Sequence, residues 1–284
     1  MAWEMGVAQG YRDLLVKVHD LAVANGWTVE RWIQEPEGDD ELILSTNGGS
    51  EQEFFTVGLK TDYSVTHERY NLKVMSSLQY SFGDSFETQP QQTELFYFYL
   101  WQHDMPYLIS LDKDHIKIAC QVSVTTHCTY LGNIRSYASL GHWPRRNGCW
   151  GEGTSANANW ASQGDSYSNF LKLSNYAGQI MWIDNHYFRP ALVHPSMYTY
   201  GLLHSDNGNN AKRHWMIPLS LVDGSLTSDG GRGMLGEFIG CFFISGANTS
   251  TWSIITSFDG ERQFLAIQNI YRTSNVDFMA WELK

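Results

Sequence analysis

The sequence is short of charge, and shorter still of positive charge. Only 17% of its 284 residues are charged, below the quarter or so usual in globular chains. Against 30 Asp and Glu stand 19 Lys and Arg, a net charge of −11. A sequence-independent grip on phosphate backbones needs a basic face, so nucleic acid is not an expected partner. A local basic spot, such as Arg145-Arg146, is compatible with that balance. Long uncharged runs are also missing, which argues against a transmembrane span. Residues 1–30 carry Glu4, Arg12, Asp13, Lys17 and Asp20 where a signal peptide would need a clean apolar stretch. Folding in the cytoplasm, away from any membrane, is therefore expected.

Catalytic and metal signatures are absent too. The four cysteines, at 120, 128, 149 and 241, form no Cys-x-x-Cys pair. They read as free, small apolar side chains in a reducing compartment. Ten histidines include no His-Glu-x-x-His, no His-x-His and no Cys/His quartet. Asp112-Lys113-Asp114-His115 has the acids of a calcium loop but lacks its glycine and its closing Glu, and a hairpin tip explains it better. Cys149 with His142 is formally a nucleophile–base pair, yet a loop cysteine beside Trp150 is more simply packing. Gly230-Gly231-Arg232-Gly233 with Gly236 lacks the Lys-Ser/Thr of a phosphate loop. No catalytic residue, metal ligand or cofactor site is assigned, and the chain is not expected to be an enzyme.

What fills the gap is aromatic: 11 Trp, 15 Tyr and 14 Phe. Such side chains bring large contact area at low entropic cost, in cores and at interfaces alike. A chain this rich in rings and this poor in charge suits burial in an assembly.

One helix is expected, over residues 7–25. Tyr11, Leu14, Leu15, Val18, Leu21 and Ala22 form an apolar stripe at three- and four-residue steps, and Asn25-Gly26 closes it. The stripe should pack on a sheet; the sharper alternative is a free helix that binds a partner. From Trp27 the pattern turns to short strands: Trp27–Ile33, Glu41–Ser45, Glu53–Lys60, Tyr70–Phe82 and the aromatic Leu95–Trp101. Tyr107–Leu111 and His115–Val124 flank Asp112-Lys113-Asp114 as the strongest hairpin signal, and the second strand is read as running on through Thr125–Leu131. Residues 132–235 are rich in Gly, Asn, Ser and Trp, with strand signals at Gln179–Ile183 and His214–Leu221. Ser225–Gly236 reads as a flexible stretch. Glu237–Ser245, Trp252–Phe258, Gln263–Tyr271 and Asp277–Leu283 close the chain, with a turn at Asp259-Gly260.

The expected fold is mainly β (α+β): an N-terminal amphipathic helix packed on antiparallel sheets or a sandwich, with long loops. Three regions are expected: 1–135 with the helix and a sheet, 136–235 rich in loops, and 236–284 completing the β core, all compatible with one continuous domain. The loop tryptophans Trp143, Trp150, Trp160 and Trp182 suit either subunit interfaces or, as the competing reading, a sugar-stacking platform. The candidate contact residues are Leu14 and Val18 on the helix and Trp143, Trp150 and Trp160 in the loops, within contact segments 7–25, 139–164 and 224–236.

Pro106–Gly132, reading PYLISLDKDHIKIACQVSVTTHCTYLG, is followed by Tyr137-Ala138 and a His142-Trp143-Pro144 loop. This stretch resembles a group of virion proteins of tailed bacteriophages. In that group a strand pair leads to a Lys-Val-Ser strand ending in Tyr-x-Gly, then a Pro-rich aromatic loop. Gln121-Val122-Ser123 stands at the Lys-Val-Ser position and Tyr130-x-Gly132 at the end. Thr125-Thr126-His127-Cys128 departs from the pattern, which has a Tyr near there. Asn25-Gly26-Trp27-Thr28 and the tail segments Asn269–Ser274 and Asp277–Ala280 fit the same group. The resemblance implies a structural component of the tail, baseplate or neck, working as a ring or symmetric set. Its partners would be other virion proteins (tail tube, sheath, baseplate or neck components) and further copies of itself. Two alternatives remain: a carbohydrate-binding module for host glycan, and a virion-associated cell-wall hydrolase.

Overall fold

The structure, a computed structural model, describes residues 1–49, 53–65, 68–137, 146–153, 178–181, 187–188, 192–194, 216–223, 233–244, 249–268 and 278–283. In chain order the elements are β1 (Ala2–Ala8), α1 (Tyr11–Ala24), β2 (Thr28–Ile33), β3 (Glu41–Thr46), β4 (Phe55–Ser64), β5 (Arg69–Ser77), β6 (Phe96–Leu100), β7 (Met105–Leu111), β8 (His115–Val122) and β9 (Thr125–Asn133). They continue with β10 (Arg135–Ser136), β11 (Asn147–Trp150), β12 (Gly178–Met181), β13 (Tyr187–Phe188), β14 (Leu192–His194), β15 (Ile217–Asp223), β16 (Gly233–Ile244), β17 (Ile254–Thr256), β18 (Gln263–Gln268) and β19 (Phe278–Glu282). The protein is mainly β, with one α-helix near its N-terminus among the described residues.

The helix is where the apolar stripe places it, but shorter. Tyr11, Leu14, Leu15, Val18 and Ala22 are its buried residues. Gly26, at φ 82°, supplies the left-handed turn that ends it, while the Trp27 amide donates back to Ala22 O at 3.1 Å. Residues 7 and 8, read as helical, belong instead to β1, which the sequence reading missed. Gln9-Gly10 makes the break: Gly10 sits at φ 114°, and the Gln9 amide donates to Asp13 at 2.9 Å across the helix start.

Three antiparallel sheets stack in layers. The central one runs β1-β7-β8-β9-β11-β12-β13, the second β2-β3-β4-β5-β6, and the third β14-β15-β16-β19-β18-β17, with β10 also on β16. The two-residue period of a strand sends alternate side chains to opposite faces. On the central sheet, Tyr107, Ile109, Ile116, Ile118 and Leu131 point one way, into a core shared with α1 and the second sheet. Leu108, Ala119, Cys128, Tyr130 and Trp150 point the other way, into a core shared with Leu219, Phe238, Phe243, Leu265 and Trp281 of the third sheet. A strand buried on both faces reads as continuously apolar, which is why β7 and β8 carried the plainest signal. The middle region, 136–235, supplies strands to both the central and third sheets.

Several boundaries differ from expectation. The strand read as running unbroken through residues 115–131 is two strands. Val122 pairs with Thr125 across a two-residue turn, and Ser123 takes φ 58° there. A serine bearing that left-handed conformation gives none of the Gly or Asn signal on which turn reading depends. Gly233–Gly236, read as flexible, opens β16 and pairs with β15; residues 224–232 lie outside the described set. The Asp112–Asp114 hairpin and the Asp259-Gly260 turn, with Gly260 at φ 77°, are as expected.

Candidate functional site

The most unusual surface is β1. It is an edge strand: among the described residues its one partner is β7, from Ala2 opposite Leu111 to Ala8 opposite Met105. Its burial alternates. Ala2 and Ala8 turn inward toward the core of α1 and the second sheet. On the opposite side Met1, Trp3, Met5 and Val7 are 48%, 40%, 38% and 56% exposed. Met5 lies opposite Leu108, which belongs to the core between the central and third sheets. The row thus continues the central sheet's buried face past the margin of its covering layer.

No charged side chain interrupts that row. Glu4, the only ionisable side chain of β1, projects to the other face, where it accepts a hydrogen bond from the Tyr107 hydroxyl. Gly6 makes that possible, since a Cβ there would stand 3.0 Å from the Tyr107 hydroxyl and 3.1 Å from its ring. Natural sheets blunt exposed edges with Lys, Pro, bulges or short strands. β1 is seven residues long with an apolar outer face.

Two buried polar clusters lie inside the layers. In the first, Glu152 joins the second sheet to the central one. Its Oε2 accepts from the Tyr99 amide at 3.0 Å and lies 2.8 Å from His127 Nδ1; its Oε1 accepts from the Cys128 amide at 3.0 Å. Both side chains of the His127–Glu152 pair are fully buried. The same short segment zips onto β6, with Glu152 N on Tyr97 O and Tyr97 N on Gly153 O, each 2.8 Å. This arrangement has the composition of an acid–base dyad, but its carboxylate is committed to two backbone amides, Tyr99 on β6 and Cys128 on β9.

The second cluster lies between the central and third sheets. β16 bulges: Phe242 pairs with Pro218 and Glu237 with Ser220, so the segment between them is longer on β16 than on β15. Gly240 takes φ 65° inside the bulge. Lys117 Nζ enters there, 3.3 Å from Ile239 O, 3.3 Å from Gly240 O and 3.5 Å from Glu282 O, with its charge over the Trp281 ring. Burial pushes the Lys117 ammonium below the usual lysine range, against weaker opposing pulls from Cys241, Asp112 and Glu282. Next to it His115 stacks on Tyr130 with ring centroids 5.2 Å apart. His115 Nδ1 stands 3.0 Å from Asp112 Oδ1, but misaligned for a hydrogen bond. Burial would raise the Asp112 carboxyl; His115 and the amides of Asp114 and His115 outweigh it and hold it well below the usual carboxylate range.

An open pocket of about 390 Å³ sits at the start of α1, lined by Gln9, Gly10, Tyr11, Arg12, Tyr63, Tyr70 and Gln102. Tyr63 and Tyr70 stack at 4.7 Å. Arg12 turns away to the β2–β3 loop, donating to Glu35 O at 3.0 Å and Asp40 Oδ1 at 2.8 Å.

The contact residues read from the sequence fall elsewhere. Leu14 and Val18 are fully buried in this chain's own core, against both sheets. Trp150 is 2% exposed and packs edge-on to Phe238 at 4.7 Å. None of the three offers a surface to a partner in this fold, because the second and third sheets already cover them. Trp143, Trp160 and Trp182 lie outside the described residues, as does His142. Cys149 is buried on the face opposite Trp150, and burial pushes its thiol far up from the usual value. Cys120 and Cys128 occupy opposite faces of the central sheet, so no bridge joins them. The β1 row escaped the sequence reading; its signal was the alternation Met1, Trp3, Met5, Val7, hidden by the adjoining helix pattern. Among the described residues, no group of three or more His, Cys, Asp or Glu is placed to hold a metal ion, and no helix is long and apolar enough to cross a membrane.

No protein-family model matches the chain, and no curated protein matches it.

Proposed function

We propose that this chain is a structural subunit of a bacteriophage virion, in the tail, baseplate or neck, and that it acts through contacts with other virion proteins and with its own copies. The observation that carries the reading is the uncharged apolar row Met1, Trp3, Met5, Val7 on the edge strand β1. A seven-residue apolar edge left in water is a template for another strand, and an assembly is the setting that covers it. The resemblance of Pro106–Gly132 to virion proteins of tailed bacteriophages suggests the kind of assembly. The layered core supports it as a rigid block: a central sheet clamped on both faces holds β1 in one orientation for docking.

The test is quantitative mass spectrometry of purified particles from cells producing the chain in its phage background. The expected result is a fixed, multiple copy number per particle, reduced when Trp3→Lys is introduced. Particles that lack the chain would refute the reading.

A second reading, recognition of host glycan, is supported by the pocket at the start of α1. Its three tyrosines and two glutamine amides are side chains of the kind that stack on and hydrogen-bond to sugar rings. Glycan-array binding that is lost in Tyr63→Ala would favour it over the first.

A further inference from the structure

Resting on the reading of the chain as an assembly subunit, we infer that β1 pairs antiparallel with β1 of a second copy, about a two-fold axis passing at Met5. The two seven-stranded central sheets then become one continuous sheet across the dimer.

The occupant follows from what the edge requires. It must bring a free strand edge, because β1 has backbone groups on the side away from β7. It must bring an uncharged apolar row of two-residue period, to match Met1, Trp3, Met5 and Val7. A second copy of β1 is the strand described in this structure that has both. Antiparallel pairing of a strand with itself is isologous, so one patch satisfies both partners.

Charge selects the register. Directly opposed residues share a face, and like charges directly opposed are destabilising. Centring the axis on Glu4 would set the two carboxylates against each other. Centring it on Met5 puts Glu4 opposite Gly6, Trp3 opposite Val7, and Met5 opposite itself. The same choice places the indole of Trp3 against the most exposed side chain of the row, Val7 at 56%.

Area sets the strength. Taking roughly 150–250 Å² for each large side chain, the exposed fractions of the row sum to roughly 350 Å² per copy. Even with all of it and the backbone edges covered, two copies bury at most about 1,000 Å², the lower limit of a specific interface. A reversible dimer is the expected outcome. Each copy carries a net charge of −11, so screening by salt strengthens the pairing, since repulsion between two acidic bodies fades as ionic strength rises.

Sedimentation velocity of the full chain over a concentration series tests this at low and high salt. The expected result is a monomer–dimer equilibrium that tightens with salt. Met5→Lys sets two ammonium groups against each other on the axis and should weaken the dimer about tenfold or more. Val23→Lys, on the exposed side of α1, should leave it unchanged. Cross-linking reports the register without relying on a disruptive substitution. Met5→Cys should form a disulfide dimer under mild oxidation, because its partner is itself, whereas Val7→Cys, opposite Trp3, should not. The four native thiols are buried and add no background.

A chain that stays monomeric throughout, a dimer indifferent to Met5→Lys, or cross-linking through Val7→Cys in place of Met5→Cys each overturns the inference. Trp3→Lys incorporation into particles separates the two claims. If the chain is monomeric and Trp3→Lys still lowers incorporation, a different virion protein pairs with β1 and the structural reading survives. If the chain is monomeric and incorporation is unchanged, β1 is not a contact surface and the inference fails, whereas only particles that lack the chain refute the structural reading.

Discussion

Removing the carboxylate of Glu152 should weaken the fold more than any surface change, and the amide replacement should fail almost as badly as truncation. Glu152 accepts from the buried Tyr99 and Cys128 amides and pairs with the buried Nδ1 of His127. A buried donor left without an acceptor costs roughly 1–3 kcal/mol. Allowing for coupling among neighbours, Glu152→Ala should cost about 3–6 kcal/mol, a large share of the ~5–15 kcal/mol that typically holds a domain together. Glu152→Gln keeps the volume but turns one acceptor oxygen into an NH2 group. That group must then face a backbone N–H or the imidazole, so a cost of about 2–4 kcal/mol is expected. Urea titration followed by tryptophan fluorescence measures the loss. Amide hydrogen exchange at Tyr99 and Cys128 localises it, since protection should fall first at these two positions. A Glu152→Gln variant within about 0.5 kcal/mol of the parent, with both amides still protected, would refute the reasoning.

Two further predictions concern buried groups. Lys117 is held below the usual lysine value of 10.5 by burial, so the unfolded chain keeps a proton that the folded chain releases first. Its contribution to stability should therefore rise with pH from the folded-state value up to about 10.5. Lys117→Met should remove that slope, visible as the difference between parent and variant urea midpoints from pH 7 to 10. A difference that does not change with pH would refute it. All four cysteines are buried, and burial raises each thiol above its ordinary value. A thiol reagent should thus find none reactive in the native state and all four after denaturation; fast labelling of any native thiol would contradict the packing.

The parts of the fold that were legible in the sequence are those where one local rule acts alone. The α1 stripe, the Gly26 and Gly260 turns and the Asp112–Asp114 tip all depend on residues within a few positions of one another. Strand β8 was legible as apolar, but not as ending at Val122, because Ser123 carries the left-handed turn that Gly or Asn normally announces. The layering was hidden for a different reason. Leu14, Val18 and Trp150 look the same in sequence whether they cover a neighbouring sheet or a neighbouring molecule, and only the fold shows that sheets of the same chain reach them. The β1 row is the reverse case: its residues resemble ordinary core, and its exposure is set by where the third sheet stops. Glu152 and His127 became a pair only because β11 runs antiparallel beside β9, a pairing that no spacing encodes.

The ammonium of Lys117 in its three-carbonyl socket bears on how the layers find their alignment. Greasy faces tolerate sliding, since Leu, Ile and Phe fit one another in many offsets with little penalty. A cation among them does not: moved by one residue pair, it would meet hydrocarbon, and the oxygens of Ile239, Gly240 and Glu282 would lose their donor. Like a dowel between two boards, it adds little strength yet permits a single seating of the C-terminal layer on the rest of the protein.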